Sequence, residues 1–493
     1  MKHISFIVVA AGSLLLSCNK LAENPNSVIV TSQFYKTASD ATSAVNAVYS
    51  TLDSDPAGDF PIYGRNLNLL TGNGSDDQVF SPSNTNPDVR ALGTATYVAA
   101  NDRVKKSWQQ HYYGISRANV AIDNISNMVI DTTLRNRLVR EAKFVRALLY
   151  FNLVRLHGGV PLILHDPTSV NPSKLNVARA TKDDVYAQIL ADLTDATLLP
   201  ASYTGANKGR ATSGAAHALL AKVYVTRQNW QAALTELQQV ITAGTVPGAT
   251  GAYGYGLFAN YLDVFQQATK NGKEHIFSVQ FGTNLGAINS TQSLSSTNFG
   301  SFNPAVYAGD LPADGLYQIF DPADTRRGVT FYTSLYNATT GTTVNFGQVR
   351  FAKFIDFSLS PLTSQAQSGI NYTVIRYSDI LLLYAEVQNE LNGAPTEDAY
   401  TAINLVRSRA GLPNLATGLS QTDFRDAVFL ERRKEFVQEG QRWFDLVRRG
   451  GTYLVDALHV LPAKSAASAK DTLYPIPQTE IALNPLLTQN PGW

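Results

Sequence analysis

Apolar side chains recur along this chain at steps of three and four, the spacing that turns one face of a helix inward. The pattern is strongest over residues 208–244. There Ala215, Leu219, Val223 and the stem of Lys222 form one contact face, and Ala218, Ala221, Tyr224 and Val225 form a second beside it. After a turn at 227–229, Trp230, Ala233, Leu234, Leu237, Val240 and Ile241 keep the same steps. Small alanines opposite Tyr and Trp let two antiparallel helices approach closely. A hairpin that is apolar on both sides cannot bury itself alone, so it predicts similar hairpins stacked against it in the tetratricopeptide manner.

The same period predicts helices at 32–51, 102–125, 131–157, 181–199, 377–391 and 397–410, and one long helix over 422–449. The first is capped at Ser39-Asp40 or slightly earlier. Asp131 or Thr132 caps 131–157, where Leu134, Leu138, Ala142, Val145, Leu149, Leu153 and Leu156 form the stripe, and Gly158, Gly159 and Pro161 stop it. A further helix is expected at 258–268, with strands at 275–281, 331–336 and 348–354. Two stretches, 53–101 and 282–371, lose the helical period and are rich in Gly, Pro, Asn, Asp and Ser. Irregular segments of that length inside a folded chain are functional or disordered, and their interspersed aromatics favour order. The tail, 473–493, carries four prolines and reads as an extended segment crossing the surface. The scaffold is therefore helical and the loops are where function is expected.

Composition narrows the function. Forty Lys and Arg against 39 Asp and Glu leave no net field to attract nucleic acid or an anionic membrane. Only 16% of residues are charged, while 23 Tyr and 22 Phe accompany four Trp. Tyr-rich, charge-poor surfaces suit sugars and other neutral polar ligands, although Tyr also packs half-buried between helices. The one cysteine, Cys18, excludes an internal disulfide. It closes an apolar run from Ile4 to Leu16 that follows Met1-Lys2. That run is shorter than the ~20 residues of a membrane-spanning helix and suits a secretory signal. With Ser17 before it, Cys18 resembles a bacterial lipobox, in which the thiol is acylated and cleavage makes the cysteine the mature N-terminus. Residues 1–18 are then a lipoprotein signal peptide, and several acyl chains on one residue anchor stably where one would be marginal.

Catalytic patterns are absent from the sequence. The seven histidines are scattered without H-x-x-x-H or H-E-x-x-H spacing, so neither metal nor cofactor is expected. The glycines of GAYGYG (251–256) lack the strand-to-helix context and following Lys of a phosphate loop. Glu435 and Glu439, four apart, can be read as an acid/base pair or as members of an ion-pair lattice with Arg432 and Arg442 at helical spacing; the absence of a nearby nucleophile favours the lattice. In the loop 71–88, Asp76 and Asp77 stand near Phe80. Acids that accept hydrogen bonds beside a ring that covers an apolar face suit a sugar; a solvated turn is the competing reading.

Seven segments together resemble the SusD/RagB family of outer-membrane nutrient-binding lipoproteins of Bacteroidetes. They are ENPNSVIVTSQFYKTASDATSAVNAVYSTL (23–52), REAKFVRALLYFNLVRLHGGVPLI (140–163), RATSGAAHALLAKVYVTRQNW (210–230), VIRYSDILLLYAEVQNELNG (374–393), INLVRSRAGLP (403–413), ERRKEFVQEGQRWFDLVRRG (431–450) and LYPIPQTEIALNPLLTQNPGW (473–493). The resemblance implies a mainly α fold, a superhelix of about four tetratricopeptide-like helix pairs carrying long irregular loops and a few short strands. It implies an N-terminal SusD-like part over 19–244 and a C-terminal RagB/SusD part over 270–493, forming one compact unit. It also implies capture of oligosaccharide, or in some members peptide, at the outer-membrane surface by a non-enzymatic protein partnered with a SusC-like TonB-dependent transporter. The alternative from another class is a surface glycosidase, which would need two carboxylates about 5–9.5 Å apart in a cleft. Asp76 and Asp77 are the loop acids for that reading, with no sign in the sequence of a second acid facing them. Because Trp108, Trp230 and Trp443 fall in helical periods and Trp493 ends the chain, any stacking platform must be Tyr or Phe. The ligand-binding candidates are Asp76, Asp77, Phe80, Tyr97, Phe299 and Tyr307, brought to one face where inter-repeat insertions emerge. A transporter interface is the rival use for the same exposed rings.

Overall fold

The computed structural model describes residues 34–55, 61–79, 85–167, 175–282, 315–337, 341–356 and 369–493. The N-terminal half holds α1 (Ala38–Asp53), α2 (Leu67–Asn73), α3 (Pro87–Gly93), α4 (Asp102–Ile125), α5 (Thr132–His157), α6 (Lys182–Ala196), α7 (Ser213–Thr226) and α8 (Trp230–Val240). Then follow β1 (His275–Val279), the short α9 (Arg326–Thr330), β2 (Phe331–Asn337), β3 (Thr342–Phe351) and β4 (Tyr372–Arg376). The C-terminal part adds α10 (Tyr377–Asn392), α11 (Glu397–Arg409), α12 (Gln421–Glu435), α13 (Arg442–Arg449), α14 (Tyr453–His459) and α15 (Gln478–Leu483).

Local chemistry sets these boundaries. Thr37 and Asp40 form a reciprocal capping box at α1, as Thr181 and Asp184 do at α6. Asn101, Asp131, Thr212, Asn229, Thr396 and Ser420 cap α4, α5, α7, α8, α11 and α12 through their side-chain oxygens. Gly393, left-handed at φ 67°, ends α10. The helices then stack in order: α4 packs on α5, α5 on α6, α6 on α7, α7 on α8, α8 on α10, and α10 on both α11 and α12. One contiguous apolar core runs from Ala41 in α1 to Leu487 in the tail and takes in Ala218, Leu219 and Ala221 of α7.

Beside the stack lie two antiparallel ribbons. β1 pairs with β4, with His275 opposite Arg376 and Val279 opposite Tyr372, and β2 pairs with β3, with Phe331 opposite Phe351 and Asn337 opposite Thr342. Both β1 and β4 are buried along their whole length, so the alternation that marks a half-exposed strand is missing from their sequences.

Several expectations are corrected. The stretch 53–101 contains α2 and α3, the latter opened by an Asn86 cap and Pro87 at its first position. Residues 258–268 form 3-10 turns, Tyr261–Phe265 and Gln267–Thr269, instead of an α-helix. The second hairpin strand lies at 342–351, upstream of the expected 348–354. The tail enters the core: Tyr474 and Ile476 are fully buried, and the Tyr474 amide donates to the Leu156 carbonyl at the end of α5. Most consequential, the single helix expected over 422–449 is two, broken at 436–441. Gln438 and Gly440 adopt left-handed φ of 62° and 69° there. A Cβ on Gly440 would sit 3.1 Å from the Tyr372 hydroxyl and 3.2 Å from the Asn68 and Thr71 side-chain oxygens, so only glycine fits without displacing them.

Candidate functional site

Asp76 and Asp77 follow α2 in a loop that α12 and α13 pull inward. The Arg442 guanidinium grips Asp76 in two-pronged fashion, Nε to Oδ1 at 2.8 Å and Nη2 to Oδ2 at 2.9 Å. Arg433 bridges both acids, at 3.0 Å to Asp76 and 2.7 Å to Asp77. Lys464 donates from below to the carbonyls of Asn73 and Ser75. Burial pushes both carboxyls up. At Asp76 the two guanidiniums outweigh it and hold the group below its ordinary range; at Asp77 burial prevails and the group is raised. Both acids are buried and committed to arginines, which overturns their expected role as hydrogen-bond acceptors for a sugar. Tyr97 is corrected for a different reason. It is buried with its ring 5.2 Å from that of Tyr474 and 4.9 Å from that of Trp493, so the tail that reads as surface covers it. Cys18, Phe80, Phe299 and Tyr307 lie outside the described residues.

Glu435 and Glu439 belong to an ion-pair hub assembled across distant segments, in place of helical i,i+4 pairing. Arg376 at the end of β4 reaches both: Nε to Glu439 at 2.7 Å and Nη1 to Glu435 at 2.5 Å. Arg326 joins Asp324, Glu431 and Glu435, Lys353 joins Glu439, Arg409 joins Glu274 and Glu435, and Arg407 joins Glu431. Five cations (Arg326, Lys353, Arg376, Arg407, Arg409) thus face five carboxylates (Glu274, Asp324, Glu431, Glu435, Glu439). Burial raises the Glu435 carboxyl, but Arg409, Arg376 and Arg326 outweigh it and hold the group well below its usual range. An acid/base pair needs one carboxyl poised near neutrality; these two are both held below their usual range by the cations around them and serve as structure.

The described residues offer a different place for a ligand. Two adjoining cavities of about 330 and 250 Å³ share a wall made by Lys208, Gly209, Arg210, Phe277 and Ser278. The larger is bounded by Tyr49, Asp53 and Gln280, the smaller by Tyr203, Tyr253, Tyr255, Asn271 and Lys273. Tyr253 and Tyr255 come from the GAYGYG run, with Gly254 between them at φ 71°, and their ring centroids are 5.5 Å apart. They approach the start of α7 closely because Gly214 has no side chain: a Cβ there would stand 2.7 Å from the Tyr255 hydroxyl. Thr212 and Ser213 tether the two hydroxyls at 3.1 and 3.3 Å. On the groove floor Asn271 and Gln280 exchange amide hydrogen bonds at 2.7 and 3.0 Å. Half-exposed rings beside amides and hydroxyls can stack on and hydrogen-bond a saccharide. Sequence reading passed over Tyr253 and Tyr255; glycine-spaced tyrosines outside any helical period were the signal.

Comparison with known proteins bears on both halves of the chain. A profile described as "SusD family" matches residues 318–493, and one described as "Starch-binding associating with outer membrane" matches residues 32–225. The chain belongs to the SusD/RagB family. A SusD-like protein of Formosa agariphila is 27% identical over 522 aligned residues, spanning 99% of each chain. Among solved structures, a SusD superfamily protein from Parabacteroides distasonis superposes with a TM-score of 0.79 at 26% identity, covering 94% of this chain and 100% of that one. A laminarin-binding SusD-like protein does so with a TM-score of 0.77 at 28% identity, covering 93% and 100%. The mainly helical, tetratricopeptide-like scaffold is thus that of the SusD fold, and association with the outer membrane accords with the family description.

Proposed function

We propose that this SusD-like protein captures oligosaccharides at the cell surface, without catalysis, and hands them to a SusC-like TonB-dependent transporter, tethered meanwhile through acylated Cys18. The observation that carries this reading is the open groove lined by Tyr203, Tyr253, Tyr255 and Asn271, on a chain similar over its length to a laminarin-binding protein. Rings supply a face for a pyranose, and the second amide hydrogen of Asn271, whose first goes to Gln280, supplies a directional bond. The N-terminal part, 19–244, and the C-terminal part, 270–493, act as one unit in this reading, supported by the shared apolar core and by the arginines of α12 and α13 that hold the 76–77 loop.

Calorimetric titration of the purified protein with a panel of oligosaccharides and oligopeptides tests it. Glycan binding that weakens about tenfold or more in the Tyr253→Ala/Tyr255→Ala double variant, with circular dichroism showing a retained fold, is expected, tenfold being ~1.4 kcal/mol of lost stacking. Binding of peptides alone overturns the glycan assignment. Glycan binding indifferent to the double variant moves the site elsewhere, and release of shortened products overturns the non-enzymatic reading. Co-purification with a transporter barrel from envelope extracts tests the hand-over.

A further inference from the structure

The larger cavity of the groove ends at the C-terminus of α1, and its last residue, Asp53, lines that cavity. An acid is unusual there, because the terminal carbonyls already concentrate negative charge at the end of a helix. The last turn of α1 contains no basic residue to offset it. Among the described residues, no ion pair or side-chain hydrogen bond reaches the Asp53 carboxylate; burial pushes it up to about 7, opposed only by its own backbone N–H.

The neighbouring charges are engaged elsewhere or stand apart. The Arg210 guanidinium donates to Glu141 of α5 at 2.8 Å, to Asn207 at 2.9 Å and to Asn46. Glu141 is shared between Arg210 and Arg137. Lys208 is exposed on the shared wall, and neither it nor Arg210 perturbs the Asp53 carboxyl. A half-buried carboxylate at a helix C-terminus, opening on a cavity large enough for a sugar ring, calls for a cation from outside. A divalent metal would need several more oxygen or nitrogen ligands than one carboxylate supplies. An ammonium needs only acceptors, and it carries three donors on one small head.

We propose that the Asp53 end of the groove is a subsite for a protonated primary amine, so that the captured oligosaccharide carries an unacetylated amino sugar. The inference rests on the oligosaccharide reading above for the identity of the ligand, but the ammonium contact can be tested apart from it. The detergent-solubilised full chain is titrated at pH 7 with glucosamine oligomers and with their N-acetylated counterparts. A parallel arm uses one tetrapeptide with a free and with an acetylated N-terminus. The wild-type chain is expected to favour the free amine by about tenfold or more, since each pKa unit by which a cation lowers the carboxyl is one such factor. Asp53→Asn, nearly the same shape and without the charge, should equalise the two forms while circular dichroism shows an intact fold. No preference in the wild-type chain, or a preference that survives Asp53→Asn, overturns the subsite. A preference found only in the peptide arm upholds the ammonium subsite and overturns the oligosaccharide reading.

Discussion

Removing one charge from the buried hub should cost more than almost any other single substitution in this protein. Glu435 is fully buried, and its carboxylate meets Arg326 at 2.9 Å, Arg376 at 2.5 Å and Arg409. Glu435→Gln keeps the volume and one acceptor but leaves five cations facing four carboxylates in a site with little access to water. At an effective dielectric near 20, each guanidinium lost at contact distance is worth up to ~4 kcal/mol of gross attraction, most of it offset by the desolvation already incurred. Breaking a buried ion pair on one side destabilises by about 3–5 kcal/mol, and a carboxylate shared by three arginines belongs at the upper end. Because the whole protein is expected to have only ~5–15 kcal/mol in hand, the loss should be plain in urea unfolding followed by tryptophan fluorescence, Trp443 being buried beside the same segment. The pH dependence has a definite sign. The folded carboxyl lies well below its ordinary range, so its contribution is complete above about pH 4.5 and fades as pH falls through the depressed value. Glu435→Gln should therefore flatten the acid limb of the stability curve. Asp183→Asn, which cuts an exposed pair with Arg227, is the control and should change stability by less than ~1 kcal/mol. If Glu435→Gln costs no more than that control, the hub is not what holds these segments together.

Other substitutions probe separate parts of the account. Asp53→Asn should stabilise the fold by about 1 kcal/mol at pH 8 and by little at pH 4, because the raised folded pKa makes the ionised form a burden that grows as pH climbs towards about 7; melts at the two pH values read the difference. Ala221 is fully buried in α7, so Ala221→Trp should overpack the stack and lower stability by about 1–3 kcal/mol in urea unfolding. Gly440→Ala should cost ~1 kcal/mol or more through its left-handed φ and the crowding against Tyr372, visible as a lowered urea midpoint. Cys18→Ala should abolish surface labelling of intact cells; undiminished labelling would show that the lipid tether is wrong or unnecessary.

The helical framework was legible in the chain because each helix announces itself locally. The stripe over 131–157, its Asp131 cap and Gly158 stop recur in the structure almost residue for residue, since side-chain period and capping depend only on near neighbours. The same locality explains what was misread. Glu435 and Glu439 sit at helical spacing with arginines nearby, yet their partners are 59 and 63 positions away at Arg376. Asp76 and Asp77 carry every mark of a solvated loop, and only Arg433 and Arg442, more than 350 positions later, bring them inside. Tyr97 seemed stranded until the tail folded Tyr474 and Trp493 onto it. The groove is non-local too: α1, the 201–212 connection, the Tyr253–Tyr255 pair and β1 meet there, and none of them is marked by itself. Periodicity and caps decide which residues coil. Which charges are buried, and which rings stay open to a ligand, depends on contacts between segments far apart in the chain, and only the assembled structure sets those.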